Sequence, residues 1–456
     1  MDLSGLSKNA MEPAKDLKRT IGVFGLACAV VNMTIGTGIF VLPALVAEHL
    51  GAAALICYFI CGLLIFLIAL CFAETGSKVT GNGGTYAYIE TAFGPFAGFL
   101  ANNIFWISCC LSDAAVANGL SKTLGYFYPP LDAAFRPLLF LLLFSGLAFI
   151  NIRGAKNGVK FMVISTLAKL IPLLLIIGFG ISQISVENLA WTSSFTLGDI
   201  SSATLILFFA FLGIENAVTN SGEFKNPSRV VPLGILAGIS VVLVLYVSIQ
   251  VVTQGILGSQ LTSFKDAPLA EVSRRLFAYT GIVLITIGAA ISMVGSISGA
   301  ILAIPRVFFA GARDGIFPKF LGNIHSKYAT PHSAIIVYAM IGCFFAVFGA
   351  FKQLIILSTA SVLLIYLGVV LATIRLRFKN IPLAGKPFLI PGGIIVPVIA
   401  VAAIAWLLSG ISRQEVVAIV TALGILSLVY ILIRIFTGKQ QRLALKVPIS
   451  DHPVKP

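Results

Sequence analysis

The chain has 456 residues, of which 58% are hydrophobic and only 11% charged, with a mean hydropathy of +1.01. A soluble globule carries about 25% charged residues, so this composition excludes a soluble enzyme or binding module and predicts a protein embedded in a lipid bilayer. The net charge of +14 would suit a nucleic-acid partner if it were clustered, but its distribution along the chain assigns it to one membrane face, and no nucleic acid is expected.

Residues 1–20 are polar and charged and read as a tail, not as a cleavable signal. Hydropathy then predicts an all-α chain of twelve spans, near 21–46, 52–74, 95–121, 135–151, 159–182, 201–221, 231–257, 281–311, 332–350, 353–374, 391–411 and 414–436. No alternating ten-residue segments suggest a β-barrel. With the N-terminus inside, 23 of the 31 Lys and Arg fall on the inner side. The outer side carries Lys122, Arg136, Lys265, Arg274, Arg275, Lys352 and Arg413, and Lys169 lies within the membrane. The positive-inside rule then places both the 1–20 tail and the 437–456 tail in the cytoplasm of a multi-pass cell-membrane protein. Two connections exceed tight turns. Residues 75–94 suit an amphipathic or re-entrant inner segment and residues 311–331 a basic inner loop with turn signals Asp314-Gly315 and Pro318; outside, residues 258–280 include PLAEVSRRLFAYT, which reads as a surface helix.

The first span contains VVNMTIGTGIFVLP from Val30 to Pro43. Glycine loosens a helix, and Gly36-Thr37-Gly38 at mid-span, after Asn32 and Thr34, invites unwinding there. Freed N–H and C=O groups at that depth cost several kcal/mol each unless satisfied, and a small polar ligand is one means of doing so. The sixth span repeats the anomaly in LILFFAFLGIENAVTNSGEF, with Gly213 central and Glu215, Asn216 and Asn220 following. Broken helices at matching positions of two halves point to a transporter's central site. The halves are 21–182 and 201–374, five spans each. The odd number makes them an inverted repeat, followed by a two-span unit, 391–436.

An ionisable group inside the bilayer costs at least about 3 kcal/mol and so requires a reason. Lys169 lies near mid-bilayer in the fifth span, where it can exchange a proton, clamp loose carbonyls of a broken helix, or both. Glu215 can carry a proton or hold unwound backbone. Asp113, in the outer half of the third span, can face a cationic substrate or pair with a neighbouring helix. Glu74, closing the second span, reads as solvated at the inner interface. Phe209 and Phe211 beside Gly213, and Trp106 on the third span, are gate or packing aromatics. The seven cysteines all fall within apolar spans and the four histidines are scattered, which indicates neither a disulfide framework nor a metal site. No motif for covalent catalysis or a cofactor is present, so neither catalytic residues nor cofactors are expected.

The strings IGTGIFVLPA, GGTYAYIETAFGPFAGF, FFAFLGIENAVTNSGEFKNPSRVVP and RVFFAGARDGIFPKFLGNIHSKYATPHSA, in this order, resemble the amino acid–polyamine–organocation superfamily of permeases. Their nearest likeness is the basic amino acid/polyamine antiporter branch. The resemblance implies a LeuT-like fold with a 5+5 inverted repeat, ten core helices and two more. It implies that an amino acid carboxylate meets backbone N–H groups at Gly36, Thr37 and Gly38, while the ammonium meets carbonyls around Thr34, Phe209 and Leu212. Phe209 would be the aromatic gate, Gly213 the second break, and Lys169 and Glu215 the coupling groups. Lys169 matches a lysine that stands in for sodium, which points to sodium-independent transport. In the arginine/agmatine antiporter branch the position of Asp113 carries a substrate-contacting asparagine and that of Ala300 a tryptophan walling the pocket, and that branch lacks the lysine. This chain departs at all three.

The combined expectation is an amino acid permease working by alternating access, by proton symport or by exchange, as a monomer or homodimer. A basic amino acid or polyamine antiporter, favoured by Asp113, is the nearest alternative. A channel or transport-derived sensor is the alternative of another class.

Overall fold

The computed structural model describes residues 21–79, 84–153, 158–191, 195–217, 224–313, 317–328, 330–379 and 387–444. The expected N-terminal tail, Asn220, the Asp314-Gly315 turn and the last twelve residues lie outside these. The described residues are helical with no strand, apart from an isolated bridge between Ile21 and Phe224.

Helices α1 (Val23–Thr34) and α2 (Gly38–Leu50) form one span bent by 54° at a three-residue break. Helix α3 (Ala54–Lys78) crosses next, and α4 (Gly84–Phe93) is the short helix expected on the inner side. Then come α5 (Pro95–Gly125), α6 (Arg136–Ile152) and α7 (Gly158–Gly180). The sixth span is α8 (Leu197–Phe208), a 3-10 turn over Phe209–Phe211 and the four-residue α9 (Ile214–Ala217). Helix α10 (Pro227–Leu257) follows, then α11 (Pro268–Ala303), α12 (Pro305–Arg313), α13 (His332–Phe348), α14 (Phe351–Arg377), α15 (Ile395–Ser409) and α16 (Arg413–Ala444).

Among the described residues, seven helices are long and apolar enough to cross a bilayer, and the bent pair makes an eighth. Four further apolar helices, centred on α6, α7, α13 and α15, are shorter. The expected surface helix exists as the first part of α11, turned from the span by Ala278, whose φ of 54° is left-handed. Helix α16 runs eight residues past the expected end of its span, because Lys439, Gln440, Gln441, Arg442, Leu443 and Ala444 are all strong helix formers. Phe59, Leu63, Leu142, Phe344, Phe348 and Val420 are exposed. Such an apolar girdle is stable only against lipid.

Neighbours pair reciprocally. Helix α1 packs on α10 while α8 packs on α3; α5 packs on α14 while α11 packs on α7; α3 meets α10, and α6 meets α13. The two broken spans are thereby held together at the centre of the protein.

Glu74 departs from the sequence expectation. It is fully buried, not solvated. Lys78 Nζ donates to its Oε1 at 2.8 Å and Arg377 Nε at 2.7 Å, a second Arg377 N–H reaches Oε2, and the Ile390 N–H donates to Oε2 at 3.0 Å. Helix α14 and the strap ahead of α15 cover a side chain that hydropathy alone leaves at an open interface.

Candidate functional site

Both breaks follow from glycine and meet at it. Gly213 has φ +132°, a conformation only glycine adopts freely, and a Cβ there would lie 2.8 Å from the backbone C and O of Met33. A Cβ on Gly38 would lie 2.6 Å from Cβ of Ala210. The two interrupted spans thus touch backbone to backbone. A Cβ on Gly36, by contrast, meets nothing within 4 Å.

The carbonyls freed at the end of α1 are largely satisfied by the protein. Val31 O accepts from the Ile35 N–H at 3.0 Å. Lys169 Nζ donates to Asn32 O at 2.7 Å and Ile35 O at 2.8 Å, so a cation sits where the helix C-terminus favours one. Of the two roles the sequence leaves open for Lys169, the clamp is the one its contacts describe. Thr34 O accepts from the Gly36 N–H at 2.9 Å, and the one proton of the Tyr246 hydroxyl is shared between Thr34 O at 3.1 Å and Ala210 O at 2.9 Å. A carbonyl has two acceptor lone pairs. The Thr34 carbonyl, expected to meet an ammonium, therefore keeps an acceptor position open when that proton lies on Ala210 O.

The donor side differs. Thr37, Gly38 and Ile39 open α2, where N–H groups lack an intrahelical partner, and Thr37 makes no side-chain cap bond. The hydroxyls of Thr34 and Thr37 are buried and have no hydrogen-bond partner among the described residues. A buried polar group left unpaired costs about 1–3 kcal/mol, so this end of the break is built to accept further contacts.

On the sixth span, Leu212 is extended and partly buried, and Phe209 is buried in the 3-10 turn. Glu215 is buried and holds unwound backbone. Its Oε2 accepts from the Gly213 N–H at 3.0 Å and from the Tyr366 hydroxyl of α14. Among the described residues no hydrogen bond joins Asp113 or Ala300 to this cluster. Asp113 is buried against α13, where the Tyr338 hydroxyl donates to its Oδ2 at 2.8 Å. Ala300 lies two residues beyond Ser298, which accepts from Asn151 in the last turn of α6 at 3.2 Å, so it belongs to the level of the helix ends. Trp106 donates to Asn103 and packs edge-on against Phe308. Asp113→Asn keeps an acceptor for Tyr338 and is expected to leave the relative competition by L-arginine and L-serine unchanged in an uptake assay; selective loss for arginine would return Asp113 to the pocket.

Sequence reasoning missed the tyrosines. Tyr58, Tyr246, Tyr338 and Tyr366 are fully buried, and each hydroxyl reaches a partner on another element. A mid-span tyrosine in an apolar helix is a usable signal, because its hydroxyl needs a partner when buried.

A family model described as amino acid permease matches residues 21–433. The chain is 26% identical to the methylthioribose transporter of Bacillus subtilis over 93% of its length and 95% of that protein's. It is 28% identical to the serine/threonine exchanger SteT of the same organism over 70% of this chain and 74% of the relative. It is 26% identical to the branched-chain amino acid permease BcaP, also of that organism, over 85% and 87%. With an all-α membrane fold and a match that spans both breaks and continues into the last helix, the chain belongs to the amino acid permease family, as a multi-pass membrane transporter and not an enzyme.

Proposed function

We propose that the protein is a sodium-independent amino acid transporter of the cell membrane, with both termini cytoplasmic, working by alternating access around the two abutting breaks. The reciprocal helix pairing supports a 5+5 inverted repeat of residues 21–182 and 201–374, since exchanging the halves maps each pair onto another or, for α3 with α10 and α6 with α13, onto itself. The four shorter helices would complete twelve spans. The observation that carries the reading is the contact of Gly213 with Met33 beside the open donors of α2 and the unpaired hydroxyls of Thr34 and Thr37. An anionic carboxylate is favoured at such a helix start. Gly36, Thr37 and Gly38 would hold it, while Phe209, Leu212 and Gly213 shape the opposite wall and carry the ammonium. The printed names of two relatives, a serine/threonine exchanger and a branched-chain amino acid permease, agree with an amino acid substrate.

Lys169 fills with its own ammonium the carbonyl cluster in which a metal cation would otherwise sit, which supports sodium independence. It and Glu215 are the candidates for coupling to protons, with exchange as the other mode. A cationic side chain would find Asp113 already engaged by Tyr338, so a neutral amino acid is the better substrate class. The test is counterflow in liposomes with radiolabelled L-serine, L-leucine and L-arginine. Saturable, trans-stimulated uptake of a neutral amino acid is expected; non-saturable flux would mean a channel, and preference for arginine a basic exchanger. Lys169→Ala is expected to remove the dependence of uptake on an imposed pH gradient. An unchanged dependence would leave Lys169 with the clamp alone.

A further inference from the structure

A concave site lies beside the breaks without including them. A cavity of about 340 Å³ opens where α5, the start of α6, the turn into α14 and the connection ahead of α11 come together. Its lining includes Asn118, Lys122, Arg136, Lys265, Asp266 and Lys352, four cations against one acid. Lys122 pairs with Asp266, and Lys265 pairs with Glu48 at 2.7 Å. Asp132, one turn before Arg136, accepts from the Ser121 hydroxyl at 2.7 Å. Arg136 and Lys352 have no carboxylate partner in an ion pair among the described residues.

Arg136 is not a loose surface cation. One of its N–H groups donates to Asn118 Oδ1. Asn118 is buried, and its amide nitrogen donates to Ala114 O at 2.8 Å and Ala346 O at 3.1 Å, which fixes the oxygen toward Arg136. The guanidinium carbon also lies 5.5 Å from the Phe140 ring centroid. A guanidinium has five donors in a rigid fork suited to a carboxylate, and one edge here is anchored to a buried amide. The site is close to the first break: Gly119, next to Asn118, abuts the Thr37 side chain, and the Phe351 ring of the cavity wall lies 3.6 Å from where a Cβ on Gly119 would stand.

We propose that this cavity is a second binding site, in which Arg136, oriented by Asn118 and reinforced by Lys352, takes a carboxylate. An amino acid and a simple carboxylic acid share that chemistry. The site would hold a solute one layer away from the breaks, before or after its passage between them.

The test places a reporter at Ala350, which is exposed and lines the cavity. Purified Ala350→Cys protein is modified with an anionic and a cationic methanethiosulfonate, with the wild-type chain setting the background from its seven cysteines. After correction for each reagent's rate with a free thiol, the anionic reagent is expected to win by about tenfold, the lower end of what focused potentials produce. Millimolar propionate, which lacks an ammonium, slows the reaction; ethylamine does not. Arg136→Lys keeps the charge preference but loses the propionate protection, and Arg136→Gln lowers the first and loses the second. Propionate protection persists in Gly213→Leu, where the breaks are blocked. Equal rates for the two reagents, no protection by propionate, equal protection by chloride or sulfate, or loss of protection in Gly213→Leu would each overturn the second site. Failure of amino acid counterflow would leave these readings unchanged, so the two proposals stand or fall separately.

Discussion

Gly213→Leu is expected to abolish solute binding in a protein that still inserts and purifies. Residue 213 sits at φ +132°, and holding a side chain in such a region costs about 1–3 kcal/mol. The added Cβ would stand 2.8 Å from Met33 C and O and 3.0 Å from Thr34 N. Those are main-chain atoms of the other break and cannot rotate away, so the two spans must separate. Overpacking of this kind costs about another 1–3 kcal/mol. Both penalties fall on the contact between the two breaks, where the solute is proposed to bind, so their sum of at least about 2 kcal/mol predicts a loss of at least about 25-fold in affinity at about 1.4 kcal/mol per decade. The measurement is a thermal-shift titration of purified protein with the best counterflow substrate. Gly36→Ala is the control: its Cβ meets nothing within 4 Å, so it should purify with unchanged stability and alter affinity only if the solute itself occupies that space. Normal affinity in Gly213→Leu would move the site away from the breaks.

Much of this arrangement is legible from the residues. Glycine pairs inside an apolar run are sufficient to place the first break, because composition governs where a lone helix loosens. The same holds for Gly213. Lys169 and Glu215 stand out because a charge in lipid must have a reason. What a single chain does not reveal is which partner a polar group finds 130 or more residues away. Lys169 can be read as a clamp in principle, yet the carbonyls of Asn32 and Ile35 as its partners emerge only once the fold brings the Lys169 side chain to the end of α1. Asp113 was open between substrate and neighbour until Tyr338 of α13 came beside it. The sequence leaves Glu74 solvated for the same reason, where the fold buries it. Span-end position is a local property, whereas its burial is created by Arg377 and by the Ile390 strap, some 300 residues further along the chain.

Glu74→Gln is the variant expected to cost the most stability. The carboxylate has no exposed surface, and the Lys78 and Arg377 side chains facing it are 7% and 17% exposed. Removing the negative charge leaves two cations in a poorly solvated space, a change that typically costs about 3–5 kcal/mol. The amide can still accept from the Ile390 N–H, and Ser77 still accepts from the Phe388 N–H at 2.9 Å, so the strap ahead of α15 keeps part of its anchorage and the loss isolates the charge term. The apparent midpoint of thermal unfolding should fall by several degrees, with a shorter half-life in detergent, since membrane proteins of this size unfold irreversibly and are judged by rate. Adding Lys78→Met and Arg377→Met should recover most of that loss, because it removes the two buried cations left without a counter-charge. If transport nevertheless stays low in the stable triple variant, the cluster couples α3 to α14 during the transport cycle. If Glu74→Gln melts with the wild type, the carboxylate is hydrated, and the closed ion cluster at the C-terminal ends of α3 and α14 does not exist in solution.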